Sequence, residues 1–380
     1  MLATVLRKLN AARKDGVGIV ACADPAPERT AAQMRSYGMQ CLFPLVPSDR
    51  PRRFPLLYPA AQIGSRLAPR GMVATYGLVP RVETDALIDI SGYAFGDEWG
   101  TWPTRNAAIR AESYRRRGKP VVLMPQMFGP FKTRKSVVAF RRLARASNHM
   151  FARDKRSFRW ASGAAGPEGH LSMAPDMTIF TDPAADGPRP PEGDFYVCIV
   201  PNIRMLDQGA AEWSAVYVDR LVAAAKLLTR RGVPVSILVH DATGKDRSLA
   251  GVIAGAVSDP RCRIVEDTDP LRLKRYLGGA RFVIASRFHA VVSSLSAGVP
   301  AITLGWAHKY EELLEDFDVP ELKHMPGGST QDLLQMIDGL LDEGRCKELR
   351  GRLEKRKGVL QVSNQAMWNR TFELLSIVKD

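Results

Sequence analysis

The sequence predicts an α/β protein of two Rossmann-like domains facing a cleft, with a helical C-terminus. Three observations predict it. Short apolar runs alternate with segments of helical period along most of the chain, the pattern of parallel sheets covered by helices. The stretch Thr181–Asp194 carries four prolines and two glycines without an apolar pattern, which is linker composition. At 380 residues the chain is also too long for one ordinary core. The expected division is an N-terminal domain over 1–182, a linker over 183–194, a C-terminal domain over 195–363 and a final helix over 364–380.

The elements follow in order. The chain opens in an amphipathic helix (Leu2, Val5, Leu6, Leu9) and reaches its first strand at Val17–Cys22. A domain of this class normally opens with a strand, so the chain is expected to begin inside its own first β–α unit. Pro27–Ser36 reads as a helix with its proline in the tolerated opening turn. Ala86–Ile90, Val121–Met124 and His149–Ala152 read as strands, and Trp102–Arg117 and Arg134–Ala146 as helices. Pro125–Pro130 reads as a turn that ends its strand, with a structural role.

Beyond the linker, Phe195–Val200, Val235–Val239 and Arg263–Glu266 are expected strands, with helices over Ala211–Arg230 and Pro270–Leu277. Arg281–Ala285 is β-branched and aromatic, the signature of a buried parallel strand. Val291, Val292, Leu295 and Ala297 then recur at helical spacing, and Gly298 with Pro300 closes that helix. The run from Phe282 to Trp306 approaches membrane-spanning length. It contains Arg287, His289, Gly298, Pro300 and Gly305, so it reads as strand–helix–strand within a core. After Gly327-Gly328 the pattern is helical over Gln331–Asp342, Glu343–Lys357 and Asn364–Val378.

Composition narrows the class. The five cysteines are scattered, without CxxC or Cys/His ligand spacing, so neither a disulfide framework nor a zinc site is indicated and a cytoplasmic location is expected. The N-terminus is basic and amphipathic rather than a signal peptide. The net charge of +14 is uneven: residues 1–190 hold 29 Lys+Arg against 15 Asp+Glu, whereas residues 191–380 hold 25 of each. The excess concentrates in Arg115–Lys119 and between Lys132 and Arg159. It implies a polyanionic partner (nucleic acid, an anionic membrane surface, or a phosphorylated or acidic substrate) or simply a solvated helix face.

Ser286-Arg287-Phe288-His289 is the most informative turn. It lies where a strand hands over to a helix N-terminus, a ligand-binding position in open α/β sheets and one that favours anions. Arginine offers a fork for phosphate or carboxylate, and histidine two residues on can move a proton near neutral pH. A capping or core histidine is the plainer alternative. Phe288 packs under a ligand or into the core. Arg153 follows a strand and either serves a ligand or pairs with Asp154 or Asp176. Lys309 serves the site or is a surface lysine on a helix. His240-Asp241 ends a strand on the same edge, and Asp97 lies in the Gly92–Gly100 loop.

Taken together these segments resemble the polysaccharide pyruvyl transferase family. The resemblance rests on Asp85–Gly92 with Gly96-Asp97, Pro125–Phe131, Ala152–Ser157, Ala174-Pro175-Asp176, Ser286–Ala290, Ala297–Pro300 and His308-Lys309-Tyr310. It implies a GT-B-like fold and transfer of the enolpyruvyl group of phosphoenolpyruvate to a glycan or lipid-linked glycan, forming a pyruvate ketal. The family's functional positions fall on Arg153, Arg287, His289 and Lys309. His289 would be the general acid/base, with Arg287 and Lys309 on the anionic groups. Arg153 would reach across the cleft, and Ser286, Phe288, Asp97 and Asp176 would line the substrate. No metal or cofactor is implied beyond phosphoenolpyruvate as donor substrate. A turn that family members commonly carry before the first helix has no counterpart before Met1, which leaves the acceptor side the weaker part of the match. A nucleotide-sugar glycosyltransferase on the same architecture and a non-catalytic polyanion-binding module are the alternatives. No nucleic-acid motif is present, and membrane contact through the basic half would suit a lipid-linked acceptor.

Overall fold

The computed structural model describes residues 1–12, 22–23, 40–43, 78–80, 83–166, 170–191, 195–207, 211–240, 245–305 and 308–376. The expected helix Pro27–Ser36, the residues 17–21 of the first expected strand, and Asp241 lie outside them. The chain divides into two compact units. One comprises Met1–Ala152, Phe158–Ser172 and Met367–Asp380; the other comprises Arg153–Ser157 and Met173–Ala366.

The first unit begins with helix α1 (Leu2–Ala12) and a small parallel sheet of β1 (Cys22–Ala23), β2 (Gln40–Phe43) and β3 (Leu78–Pro80). A second sheet follows. Its elements are β4 (Leu87–Asp89), β5 (Tyr93–Phe95), helix α2 (Thr101–Arg115), β6 (Val121–Phe128), helix α3 (Arg134–Ala146), β7 (His149–Ala152), helix α4 (Lys155–Ala165) and β8 (Leu171–Met173). The strand order is β4-β6-β7-β8, with β5 also on β6. β6 is buried along its whole length and runs four residues beyond the expected Met124, so Pro125 lies inside a strand rather than in a turn. The register against β7 shifts between Leu123 and Gln126, the kind of irregularity that accommodates a strand proline. The turn comes instead at Gly129-Pro130.

Two helices cover this sheet for readable reasons. α2 buries Ala107, Ala108 and Ala111, a small-residue face that allows close approach. α3 starts with Thr133 as N-cap in a capping box with Ser136, which satisfies otherwise orphaned N–H groups. On its buried face, Phe140, Leu143, Ala144 and Ala146 pack with Phe95 and Phe128 in one apolar cluster.

The second unit alternates without interruption. β9 (Val197–Val200) is followed by helices α5 (Ala211–Ser214) and α6 (Tyr217–Arg230), then β10 (Val235–Val239), helix α7 (Lys245–Val257), β11 (Cys262–Glu266) and helix α8 (Pro270–Gly278). β12 (Phe282–Ala285), helix α9 (Phe288–Ser296), β13 (Ala301–Leu304), helix α10 (His308–Asp316), β14 (Lys323–His324), helix α11 (Thr330–Leu341) and helix α12 (Glu343–Leu375) complete the order. The sheet order is β11-β10-β9-β12-β13-β14, with every pairing among the described residues parallel. In order of appearance this is 3-2-1-4-5-6, the doubly wound arrangement whose switch point lies between the first and fourth strands. Here those strands are β9 and β12. All residues of β9, β10, β12 and β13 are buried, as expected for strands covered on both faces.

Two helical expectations change in detail. The segment expected as one helix over Ala211–Arg230 breaks at Ala215-Val216, where Val216 becomes the N-cap of α6. Conversely, the two expected terminal helices are one, α12. Gly358 does not interrupt it, because a glycine costs only about 1 kcal/mol in a helix interior. The closure of α9 occurs as read: Gly298 has φ +73°, and a Cβ there would meet the Glu354 carboxylate at 2.7 Å. Among the described residues no helix is long and apolar enough to cross a membrane.

Candidate functional site

The switch point is built from the ends of β9 and β12. β12 ends at Ala285, and the chain enters α9 through Ser286 and Arg287. Ser286 is fully buried. Its N–H donates to the Val200 carbonyl at 3.0 Å. The Ser286 carbonyl accepts from Asn202 Nδ2 and from the Tyr310 hydroxyl, both at 2.9 Å. The Tyr217 hydroxyl donates to Ser286 Oγ at 2.8 Å and accepts the Asn202 N–H at 3.0 Å. Four elements therefore fix one turn. Such a fully bonded polar network rigidifies the backbone it surrounds. Burial pushes the phenols of Tyr217 and Tyr310 upward, so both remain hydroxyl donors.

Arg287 is held by the same network. Its Nε and one Nη donate to Asp246 at 2.7 Å each, and Asp246 also accepts the Ile203 N–H at 2.9 Å. Asp246 is wholly buried, on the first turn of α7, whereas Arg287 keeps a quarter of its side-chain surface. A two-point carboxylate clamp fixes the plane of a guanidinium as well as its position. Arg287 is thus the N-cap residue of α9 without capping it by its own side chain, and the positive end of the helix faces outward beside it.

On the other side of the turn, two cations approach the Phe288 ring. The Arg153 guanidinium is 4.4 Å from its ring centre and the Lys309 ammonium 5.3 Å. Arg153 follows β7, a strand of the first unit, but is itself part of the second. Its Nη1 donates to Asp176 at 2.9 Å, with both side chains buried. Of the two acids weighed for it, Asp176 is the one it pairs with; Asp154 instead accepts from the Ser157 N–H and hydroxyl.

Asp176 also takes the Thr178 N–H and hydroxyl on its second oxygen. Burial would raise its pKa, but Arg153, His289 and the Thr178 bonds outweigh that and hold it down at about 2. Behind this turn Lys274 donates to the Thr178 and Ile179 carbonyls at 2.7 and 3.2 Å. Its own pKa falls to about 8 through desolvation and the nearby Lys357.

Arg153, Asp176, Phe288 and Lys309 line one small hollow, with Glu312 and Asp316 also in its wall. Burial, then Glu312, raises the Asp316 carboxyl to about 7, so part of that wall is uncharged at neutral pH. His289 sits next to this group. Its ring keeps an exposed surface although protein crowds it. That desolvation, opposed by Asp176 and reinforced by Arg153 and His240, brings its pKa down to about 4. At pH 7 the imidazole is neutral, and an anion bound beside it would raise its proton affinity.

The structure thus brings together Arg153, Asp176, Phe288, His289 and Lys309, and directs Arg287 and Ser286 into the supporting network. Asp97 belongs to the first unit, where its carboxylate accepts the Lys132 N–H and so ties its loop to the start of α3. Asn202, Tyr217 and Asp246 had no motif to announce them. The signal available was only position: each lies just past a β9 or β10 end or faces one. Tyr310 stood beside Lys309 in a quoted motif, but nothing local tells a buried clamp from a surface tyrosine.

Comparison with known proteins agrees with this architecture. The chain superposes on Staphylococcus aureus MnaA, solved with UDP, with a TM-score of 0.60 at 12% identity, over 100% of this chain and 94% of that one. The UDP-GlcNAc 2-epimerase of Neisseria meningitidis, bound to UDP-GlcNAc, gives 0.57 at 10% identity over 98% and 95%. A UDP-glucosyltransferase from Polygonum tinctorium gives 0.57 at 12% over 99% and 95%. These identities speak for the fold, an α/β architecture of the GT-B kind. Sequence speaks for more: the family model "Polysaccharide pyruvyl transferase" matches residues 12–308. The chain belongs to the polysaccharide pyruvyl transferase family and is a transferase of polysaccharide modification.

Proposed function

We propose that the protein transfers the enolpyruvyl group of phosphoenolpyruvate to two hydroxyls of a glycan or lipid-linked glycan, forming a pyruvate ketal and releasing phosphate. The observation that carries this reading is the cluster at the entrance of α9: two cations within 4.4 and 5.3 Å of the Phe288 ring centre, with a neutral histidine next to them. Phosphoenolpyruvate presents a phosphate and a carboxylate on adjacent carbons. Lys309 and Arg153 supply positive charge for those groups, and the helix end adds its own. Arg287, fixed by Asp246, holds the turn and adds field.

In the reaction, the methylene carbon takes a proton and the adjacent carbon becomes oxocarbenium-like. One acceptor hydroxyl adds there, the phosphate leaves with the C–O bond electrons, and the second hydroxyl closes the ketal. His289 is the proton carrier. It is neutral in the free protein, so it becomes the acid only when the substrate's negative charge has raised its pKa. This makes protonation conditional on donor binding.

A nucleotide-sugar reading has one observation in its favour, the UDP and UDP-GlcNAc of the solved neighbours. Thermal unfolding separates the two. Phosphoenolpyruvate at a hundredfold excess over its Kd adds about 2.7 kcal/mol of stability, whereas UDP leaves the midpoint unchanged. His289→Ala keeps the phosphoenolpyruvate shift and loses phosphate release in the presence of acceptor. Stabilisation by UDP alone, or unimpaired turnover in His289→Ala, would overturn the proposal.

A further inference from the structure

We propose that the solvent face of α3 is a docking surface for an anionic lipid bilayer. Residues 101–150 contain twelve Lys+Arg and one acid, Glu112, a net +11 of the chain's +14. Helix α3 concentrates that charge. Arg134, Lys135, Val138, Arg141, Arg142 and Arg145 are its exposed residues, and they follow one another at helical spacing, so they form a single stripe. The helix contains no acidic residue.

Folding alone does not ask for this arrangement. Arg134 and Lys135 occupy the first turn, where the helix dipole disfavours cations. Glu112 on α2 pairs with Arg142 through two bonds of 2.9 Å, one acid against the twelve cations of this stretch. Val138 is 49% exposed and lies one turn from Arg134 and Lys135 on one side and from Arg141 and Arg142 on the other. An apolar residue ringed by cations on a straight helix matches the boundary of a bilayer, where cations meet lipid phosphates and the apolar centre enters the acyl edge. On a nucleic acid the same valine would face phosphates and gain nothing. The stripe begins just past the carboxyl end of β6, the edge of an α/β sheet where substrates are met, so a lipid-linked acceptor would be presented at that edge.

The test is cosedimentation of the full-length protein with phosphatidylglycerol-containing vesicles and with pure phosphatidylcholine vesicles. It needs no donor, acceptor or turnover, so its result is independent of the pyruvyl-transfer reading. The wild type should bind the anionic vesicles only, and less as salt rises. The double variant Arg134→Glu/Lys135→Glu places acids where the dipole favours them, so it should fold. Each lost cation lowers partitioning about fivefold, and the double variant should bind on the order of 25-fold more weakly or worse. Val138→Ser, which removes the apolar contact without changing the charge, should weaken binding at constant salt sensitivity. Equal binding to both vesicle types, undiminished binding by the double variant, or tighter binding to a DNA duplex than to anionic vesicles would each overturn the proposal.

Discussion

Two strand-to-helix hand-overs of this molecule, β12 into α9 and β6 into α3, use opposite physics. The first is polar and buried: Ser286 and Arg287 are held by Tyr217, Asn202, Tyr310 and Asp246. The second is an apolar seat, Phe128 and Phe131 against Phe140 at 5.3 and 4.3 Å, closed by a local capping box. Its cations lie on the exposed face of the helix, where Arg142 pairs with Glu112 and Arg141 donates to the Ala164 carbonyl. A turn that must place reacting groups to a fraction of an ångström needs directional bonds from several elements. A turn that only presents charge to a distant surface needs none of them.

The comparison is most easily broken at Asp246. Removing it leaves the Arg287 guanidinium unpaired on one side and the Ile203 N–H without its acceptor. Asp246→Ala should destabilise the second unit by roughly 3–5 kcal/mol, read as a fall in the denaturant midpoint with near-constant slope. A change below about 1 kcal/mol would mean that the clamp is dispensable. The matching deletion at the other turn has no counterpart, since among the described residues Arg134 and Lys135 make no such pair with a buried acid.

A second probe is pH. Asp176 titrates at about 2 in the folded protein against about 3.9 when unfolded. A depressed carboxyl contributes stability that is complete above its unfolded pKa and is lost as pH falls toward the folded one. The contribution is about 3 kcal/mol, and it should disappear as pH falls through about 4 to 2. In Asp176→Asn the acid limb of the stability curve should flatten. An unchanged limb would assign acid unfolding to other carboxylates.

How much of this was legible in the sequence follows from the same contrast. α3 was readable to the residue, Arg134–Ala146, because capping and period are local. The strand–helix–strand over Phe282–Leu304 was readable for the same reason, and so was the importance of its turn. The partners of that turn were not. Asp246 is 41 positions from Arg287 and Tyr217 is 69 from Ser286, so only the winding of the sheet makes them neighbours. Arg153 directly follows a strand of the first unit. Its side chain is claimed by Asp176 and Phe288, and no local pattern encodes that. β6 was cut short at Pro125 because a proline ends most central strands; the register shift against β7 is a property of two strands, not one.

The smallest expected effect is at the apolar hand-over. Thr133 Oγ1 accepts the Ser136 N–H at 3.1 Å, and Ser136 Oγ accepts the Thr133 N–H at 3.3 Å. Thr133→Ala removes the first bond and the Thr133 hydroxyl's own bond to Ser136 Oγ at 3.0 Å, at a cost of about 1 kcal/mol, seen as a modest drop in the midpoint of thermal unfolding. The cationic stripe begins one residue later and is presented by the whole helix, whose buried face is anchored by Phe140 and Leu143. Vesicle binding should therefore survive the loss of the cap. If it fell in step with stability, the stripe would depend on the turn's bonds as α9 does, and the two hand-overs would be alike after all.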